Sequence, residues 1–190
     1  MKDVINNEIN EHIRVANLLH GLTEAIIKSA QLCIDSLKND GKILLFGNGG
    51  SAADAQHIAA ELSGRFYTDR PPLYAEALHV NSSYMTAVAN DYGYKETYAR
   101  MVEASGRKGD VLVGISTSGN SPNVVKAMLN AKEIGMLTVG FTGSKGGKMK
   151  EICDIMIQVP SDDTPRIQEV HILVGHIICQ LIEEEMFPNA

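Results

Sequence analysis

The chain has 190 residues, 44% of them hydrophobic and 21% charged, with a net charge of −6, which suits one well-cored soluble domain and is short for two. The negative balance argues against a nucleic-acid binder working through a general basic surface, and no apolar run approaches the roughly 20 residues of a membrane span. Lys2, Asp3, Glu8, Glu11 and Arg14 stand where a secretion signal has its apolar heart, so the expected location is the cytoplasm.

The first 39 residues predict two helices. Val4, Ile5, Ile9, Ile13 and the stretch 15–19 recur at helical spacing; Gly21 breaks the pattern, and Thr23 is placed to cap a second helix carrying Ile26, Ile27, Ala30, Cys33, Ile34 and Leu37. Because this pair precedes any strand, its apolar stripes need another surface, and a partner subunit is a natural one. From Lys42 the rhythm becomes strand, loop, helix. Apolar runs at 43–46, 75–80, 111–115, 137–141 and 155–159 predict five strands. Helices are expected over 51–62, 83–88, 94–104, from about 122 to 134, in a short piece before the last strand, and over 164–186 in a long amphipathic segment. Apolar strands alternating with helices predict an α/β fold. Its form is a three-layer α/β/α sandwich on a five-stranded parallel sheet, all in one domain spanning 1–190. The three cysteines, Cys33, Cys153 and Cys179, are far apart in apolar surroundings without a Cys-x-x-Cys pair, which fits buried reduced thiols.

Two polar loops each follow a strand, where an open parallel sheet binds its ligands. In the first, Gly47, Asn48, Gly49 and Gly50 let the backbone turn tightly and approach a ligand, and Ser51 opens the following helix. The second places the hydroxyls of Ser116, Thr117, Ser118 and Ser121 around Gly119 and Asn120. Ser, Thr and Asn are favoured at any helix start, so one such loop would be an ordinary capped turn; two on one sheet favour phosphate binding. Residues 47–52 also match the dinucleotide pattern G-x-G-x-x-A, but the next strand ends near His79 and Val80 rather than on an acidic residue. A Walker A loop is absent, since Met149 stands where Ser or Thr is required.

His57 and Glu61, four residues apart on the helix opened by Ser51, share one face. An arbitrary pair at this spacing is usually a solvated one; its place beside a phosphate loop raises the functional reading. The last helix carries Gln168, Glu169, His171 and His176 among apolar residues. Spacing groups Gln168 with His171, whereas Gln168 and His176 lie about 12 Å apart along the axis. Spacing therefore does not select His176, and His171 is expected to be a core or interface histidine.

The set Gly47-Asn48-Gly49-Gly50-Ser51, His57 through Glu61, Asn90-Asp91-Tyr92-Gly93, Ser116-Thr117-Ser118-Gly119-Asn120-Ser121 and Arg166-Ile167-Gln168-Glu169-Val170-His171 resembles, in order, the phosphoheptose isomerases of the SIS family. The resemblance covers essentially the whole chain. It implies a homotetramer with active sites shared between subunits, the first 39 residues packing on the domain and on neighbours. It implies phosphate held by Ser51, Ser116, Thr117, Ser118 and Ser121, and substrate contacts from Asn48, Gly49, Gly50, Glu61, Asn90, Asp91 and Gln168. His57, Glu61, Gln168 and His176 match the family's zinc ligands, one Zn2+ per subunit, and Glu61 and His176 match its acid/base pair. The implied reaction converts sedoheptulose 7-phosphate to D-glycero-D-manno-heptose 7-phosphate through an enediol, for lipopolysaccharide or capsule precursors. The same family holds a replication-initiation factor that binds the initiator protein, and Arg70-Pro71-Pro72 and Met186-Phe187-Pro188 look somewhat like it. That factor is without the residues that stand here as Glu61 and His176, which favours the enzyme. A SIS isomerase of another phosphosugar is the remaining alternative.

Overall fold

The structure is a computed structural model, and it describes residues 1–189. Two helices, α1 (Lys2–Asn17) and α2 (Thr23–Lys38), are joined by a 3-10 turn over Leu18–Leu22. That turn corrects the expected cap: Thr23 lies inside α2, and its hydroxyl donates back to the carbonyl of His20. The alternation then runs β1 (Ile43–Gly47), α3 (Gly50–Ser63), β2 (Ala75–Ala77), α4 (Ser82–Tyr92), α5 (Thr97–Ser105), β3 (Val111–Ile115), α6 (Pro122–Ile134), β4 (Leu137–Thr142), β5 (Ile155–Gln158) and α7 (Thr164–Met186). Short 3-10 turns precede α5 and β5.

Five parallel strands form one sheet in the order β2-β1-β3-β4-β5. Burial on both faces explains why the strands are continuous apolar runs: all five residues of β1 and of β3 are buried. Alternate side chains serve different layers. Ile43 and Leu45 pack toward the apolar faces of α2, α3 and α7, whereas Leu44 and Phe46 pack toward α5 and α6. The second strand is shorter than its apolar run. It stops at Ala77, although Leu78 N–H still donates to Leu45 O at 2.9 Å before the chain turns.

The strand order places the site. From β1 the chain goes outward to β2, then returns to lay β3 on the other side of β1. Their carboxyl ends are level, Gly47 pairing with Ile115, so the two polar loops leave adjacent strands side by side at a topological switch point.

Candidate active site

The serine-bearing loop is pinned on several sides. Ser116 N–H donates to Phe141 O at 2.9 Å, Gly143 N–H to Thr117 O at 2.9 Å, and Met149 N–H to Gly119 O at 3.1 Å. Ser116 Oγ and Ser121 Oγ lie 3.0 Å apart. The N-cap residues of α6 and α3, Ser121 and Gly49, make no side-chain bond to their helices. The ordinary reading of Ser121 as a cap is therefore not what its hydroxyl does here. Ser51, in the first turn of α3, is buried, while Thr117 and Ser118 line a cavity of about 250 Å3 with Asn120, Ser144 and Lys145.

Asn48 is held more firmly than its sequence position suggests. Its amide exchanges hydrogen bonds with Asn123, at 3.0 and 2.9 Å, and accepts from Tyr94 Oη at 3.0 Å. Tyr98 Oη donates to the carbonyl of Gly47. Asn123, Tyr94 and Tyr98 were not legible as site residues; Asn123 directly after Ser121-Pro122 was the one available signal, since a buried amide needs a partner. Asn90 and Asp91 stand exposed at the end of α4, Asn90 Nδ2 donating to Asp91 Oδ1 at 2.8 Å.

On the other side of the sheet α3 and α7 run close together, and here three chemical groups meet. His57 Nε2 lies 3.0 Å from Glu61 Oε1 and 3.5 Å from His176 Nε2. One ligand atom from each of the three falls within 4.8 Å of the others. Gly175 makes the approach possible: a Cβ there would stand 2.5 Å from Ile58 Cδ1. A glycine inside a helix costs about 0.5–1 kcal/mol relative to alanine, so a lone glycine beside His176 was the signal that this face of α7 meets another element. Burial raises the Asp54 carboxyl above its ordinary value, against a pull from His57 one turn away.

Gln168 is set apart from this trio along α7. Its amide lies against Gly50, where an added Cβ would meet Nε2 at 2.7 Å. It faces the opening turn of α3, while His57 and Glu61 sit on later turns. His171 goes elsewhere. It is fully buried beside Phe141, with Nε2 3.2 Å from Thr142 O, so the spacing that groups it with Gln168 does not bring the two to one site.

The donor set fits a zinc ion. With bonds of about 2.05 Å and tetrahedral angles, ligand atoms stand roughly 3.3 Å apart, close to the 3.0 and 3.5 Å found here. Two imidazole nitrogens and a carboxylate oxygen are also the ligands that a catalytic zinc takes while keeping a position open.

A family model for the SIS domain matches residues 10–143. Phosphoheptose isomerase of Aliarcobacter butzleri is 52% identical over 187 residues, 98% of this chain and 99% of the relative. That of Helicobacter pylori strain P12 is 54% identical over 182 residues, 95% of each chain. Among solved structures, phosphoheptose isomerase from Neisseria gonorrhoeae superposes with a TM-score of 0.92 at 44% identity, covering 96% of this chain and 98% of that one.

Proposed function

The chain belongs to the phosphoheptose isomerases of the SIS-domain family, and from that premise we propose that it interconverts sedoheptulose 7-phosphate and D-glycero-D-manno-heptose 7-phosphate through an enediol. It is a sugar-phosphate isomerase; the heptose substrate, its use in surface-polysaccharide precursors and a cytoplasmic homotetramer with shared sites are parts of this reading. The observation that carries it is the meeting of His57, Glu61 and His176 on α3 and α7, with α3 springing from the glycine-serine loop.

Ser51, Ser116, Thr117, Ser118 and Ser121 hold the phosphate, with N–H groups at the starts of α3 and α6 favouring its charge. This anchors the end of the sugar remote from the chemistry and presents C1 and C2 to α3 and α7. Glu61 takes the proton from C1 of the ketose and returns it to C2 of the enediol. His176 supplies a proton to O2 and receives the one leaving O1, so the aldose forms with no net loss. Asn48, Asn90, Asp91 and Gln168 contact sugar hydroxyls. His57, Glu61, His176 and Gln168 would hold a zinc ion, which when bound polarises the carbonyl as a Lewis acid.

The test is exchange of the carbon-bound proton. Purified protein incubated with zinc and sedoheptulose 7-phosphate in deuterated water should yield aldose labelled at C2, followed by NMR. Glu61→Gln, which keeps the shape and removes the base, should lower turnover and exchange by at least about 100-fold while the substrate still binds. An undiminished Glu61→Gln enzyme removes Glu61 from the mechanism.

A further inference from the structure

Two segments that the fold's chemistry has not used meet behind the site. Residues 64–72 connect α3 to β2, and residues 183–188 close α7. Arg70 in the first and Glu183 in the second form an ion pair at 3.0 Å, with side chains 0% and 4% exposed.

Every bond of this pair ties one catalytic helix to the other. Glu183 accepts from the backbone N–H groups of Phe66, Tyr67 and Thr68, at 3.3, 2.9 and 3.0 Å, as well as from Arg70 Nε. Arg70 Nη1 donates to the carbonyl of Leu62 at 2.8 Å, and Nη2 donates to the carbonyl of Glu61 at 2.8 Å. The guanidinium also lies 5.6 Å from the centre of the Phe187 ring. Four carbonyls at the end of a helix would ordinarily be left for solvent; here a buried guanidinium takes two of them, one belonging to the residue that bears the base. The loop so held carries Phe66, whose ring stacks on His176 with centroids 5.7 Å apart and planes at 27°. One ion pair therefore fixes the backbone of Glu61 on α3 and, through Phe66, the ring of His176 on α7.

We propose that Arg70 and Glu183 are positioning residues for the isomerisation, setting the relative placement of Glu61 and His176 rather than serving the stability of the fold alone. Buried ion pairs are poor sources of stability, because desolvation offsets their attraction. Their strength lies in fixed geometry, and arginine's planar fork is suited to hold several oxygens at once. The phosphate loops stand at the other end of α3, held by β1 and β3, so the brace acts on the reacting end of the substrate and not on its anchor. The proposal rests on the reading of Glu61 and His176 as the acid/base pair.

Arg70→Lys keeps the charge but not the fork, so it cannot serve Glu183, Leu62 and Glu61 together. Kinetics with sedoheptulose 7-phosphate should show kcat down by about 10-fold to 100-fold, the cost of displacing a reacting group by up to ~1 Å. KM should stay within about twofold. A second variant covers the case in which the lysine chain does not fold. Arg70→Met combined with Glu183→Leu removes both charges, a replacement that buried pairs tolerate, and should show the same loss in kcat at unchanged KM. Folded fraction is followed by circular dichroism. Wild-type kcat in either folded variant overturns the proposal, as does a loss that merely tracks unfolding in both or falls equally on KM. Glu61→Gln run alongside separates the two readings: if it stays active, the acid/base reading fails, and if it is inactive while Arg70→Lys has full kcat, only the brace fails.

Discussion

At the scale of single residues, Gly119 shows how a phosphate loop depends on a side chain that is absent. Its φ is +64°, and an added Cβ would stand 2.0 Å from the carbonyl oxygen of Gly146. The left-handed conformation alone costs an L-residue about 1–2 kcal/mol, but the clash is with backbone and cannot be relieved by a rotamer change. Gly119→Ala must push residues 116–121 away from residues 146–147, breaking the bond from Met149 N–H to Gly119 O. Because the hydroxyls of Ser116, Thr117, Ser118 and Ser121 ride on this loop, the expected effect is a KM for sedoheptulose 7-phosphate raised about tenfold or more, with a smaller change in kcat. Competition by inorganic phosphate should weaken in parallel. A variant with wild-type KM and phosphate inhibition would show that this loop does not anchor the phosphate. The hydroxyls were legible from composition. What holds them in place was not, because Gly146 and Gly119 are distant in sequence and their contact is a product of the fold.

At the scale of elements, periodicity revealed most of the architecture. Strands β1, β3, β4 and β5 stand where the apolar runs placed them, and α7 covers the expected Thr164–Met186. Direction around a helix was harder. Along α7, Gln168, His171 and His176 are turned to three environments: the start of α3, the core under β4, and the face opposite His57. Spacing on one helix cannot say which neighbour each face meets. Likewise nothing in the sequence linked Arg70 to Glu183, although a buried guanidinium always needs an anion or several carbonyls. His171 gives this element a measurable signature. Burial pulls its pKa down to about 4 from 6.5, a bond to Thr142 O opposing. Between these values the unfolded chain binds a proton that the folded chain refuses, so His171 makes stability fall as pH is lowered from 6.5 toward 4 and contributes its full share above that range. Each tenfold drop in proton affinity is worth ~1.36 kcal/mol, which makes the loss on the order of 3 kcal/mol. His171→Phe places a ring of similar size beside Phe141 and removes the titration, so its urea midpoint should fall less steeply with acid. Parallel pH profiles of the two proteins would rule this out.

At the scale of the whole molecule, α1 presents a face the chain itself does not cover. Val4, Ile5, Ile9 and Ile13 are each at least half exposed, on a helix tied to α7 through Arg166 to the carbonyl of Glu8 and through His12 to Glu169. The polar side of α1 is thus fastened inward and its apolar side turned out, the reverse of a helix that completes its own core. Covering each of these side chains would contribute roughly 1.5–3 kcal/mol, which favours the face as a subunit contact in the proposed tetramer. The site has the same need. The side chains of His57 and Glu61 are 49% and 23% exposed in the lone chain, so water reaches groups whose electrostatics would be stronger in a closed pocket. Replacing Ile5 and Ile9 together by Glu puts two charges on that face without touching the core or the site. Light scattering should then find a smaller species than in the wild-type protein, with circular dichroism unchanged. Turnover should drop with dissociation and recover in part at high protein concentration, where mass action restores assembly. A wild-type chain that is monomeric and fully active at the same concentration would dismiss both the tetramer and the shared site, and it would leave the apolar face of α1 to some other partner.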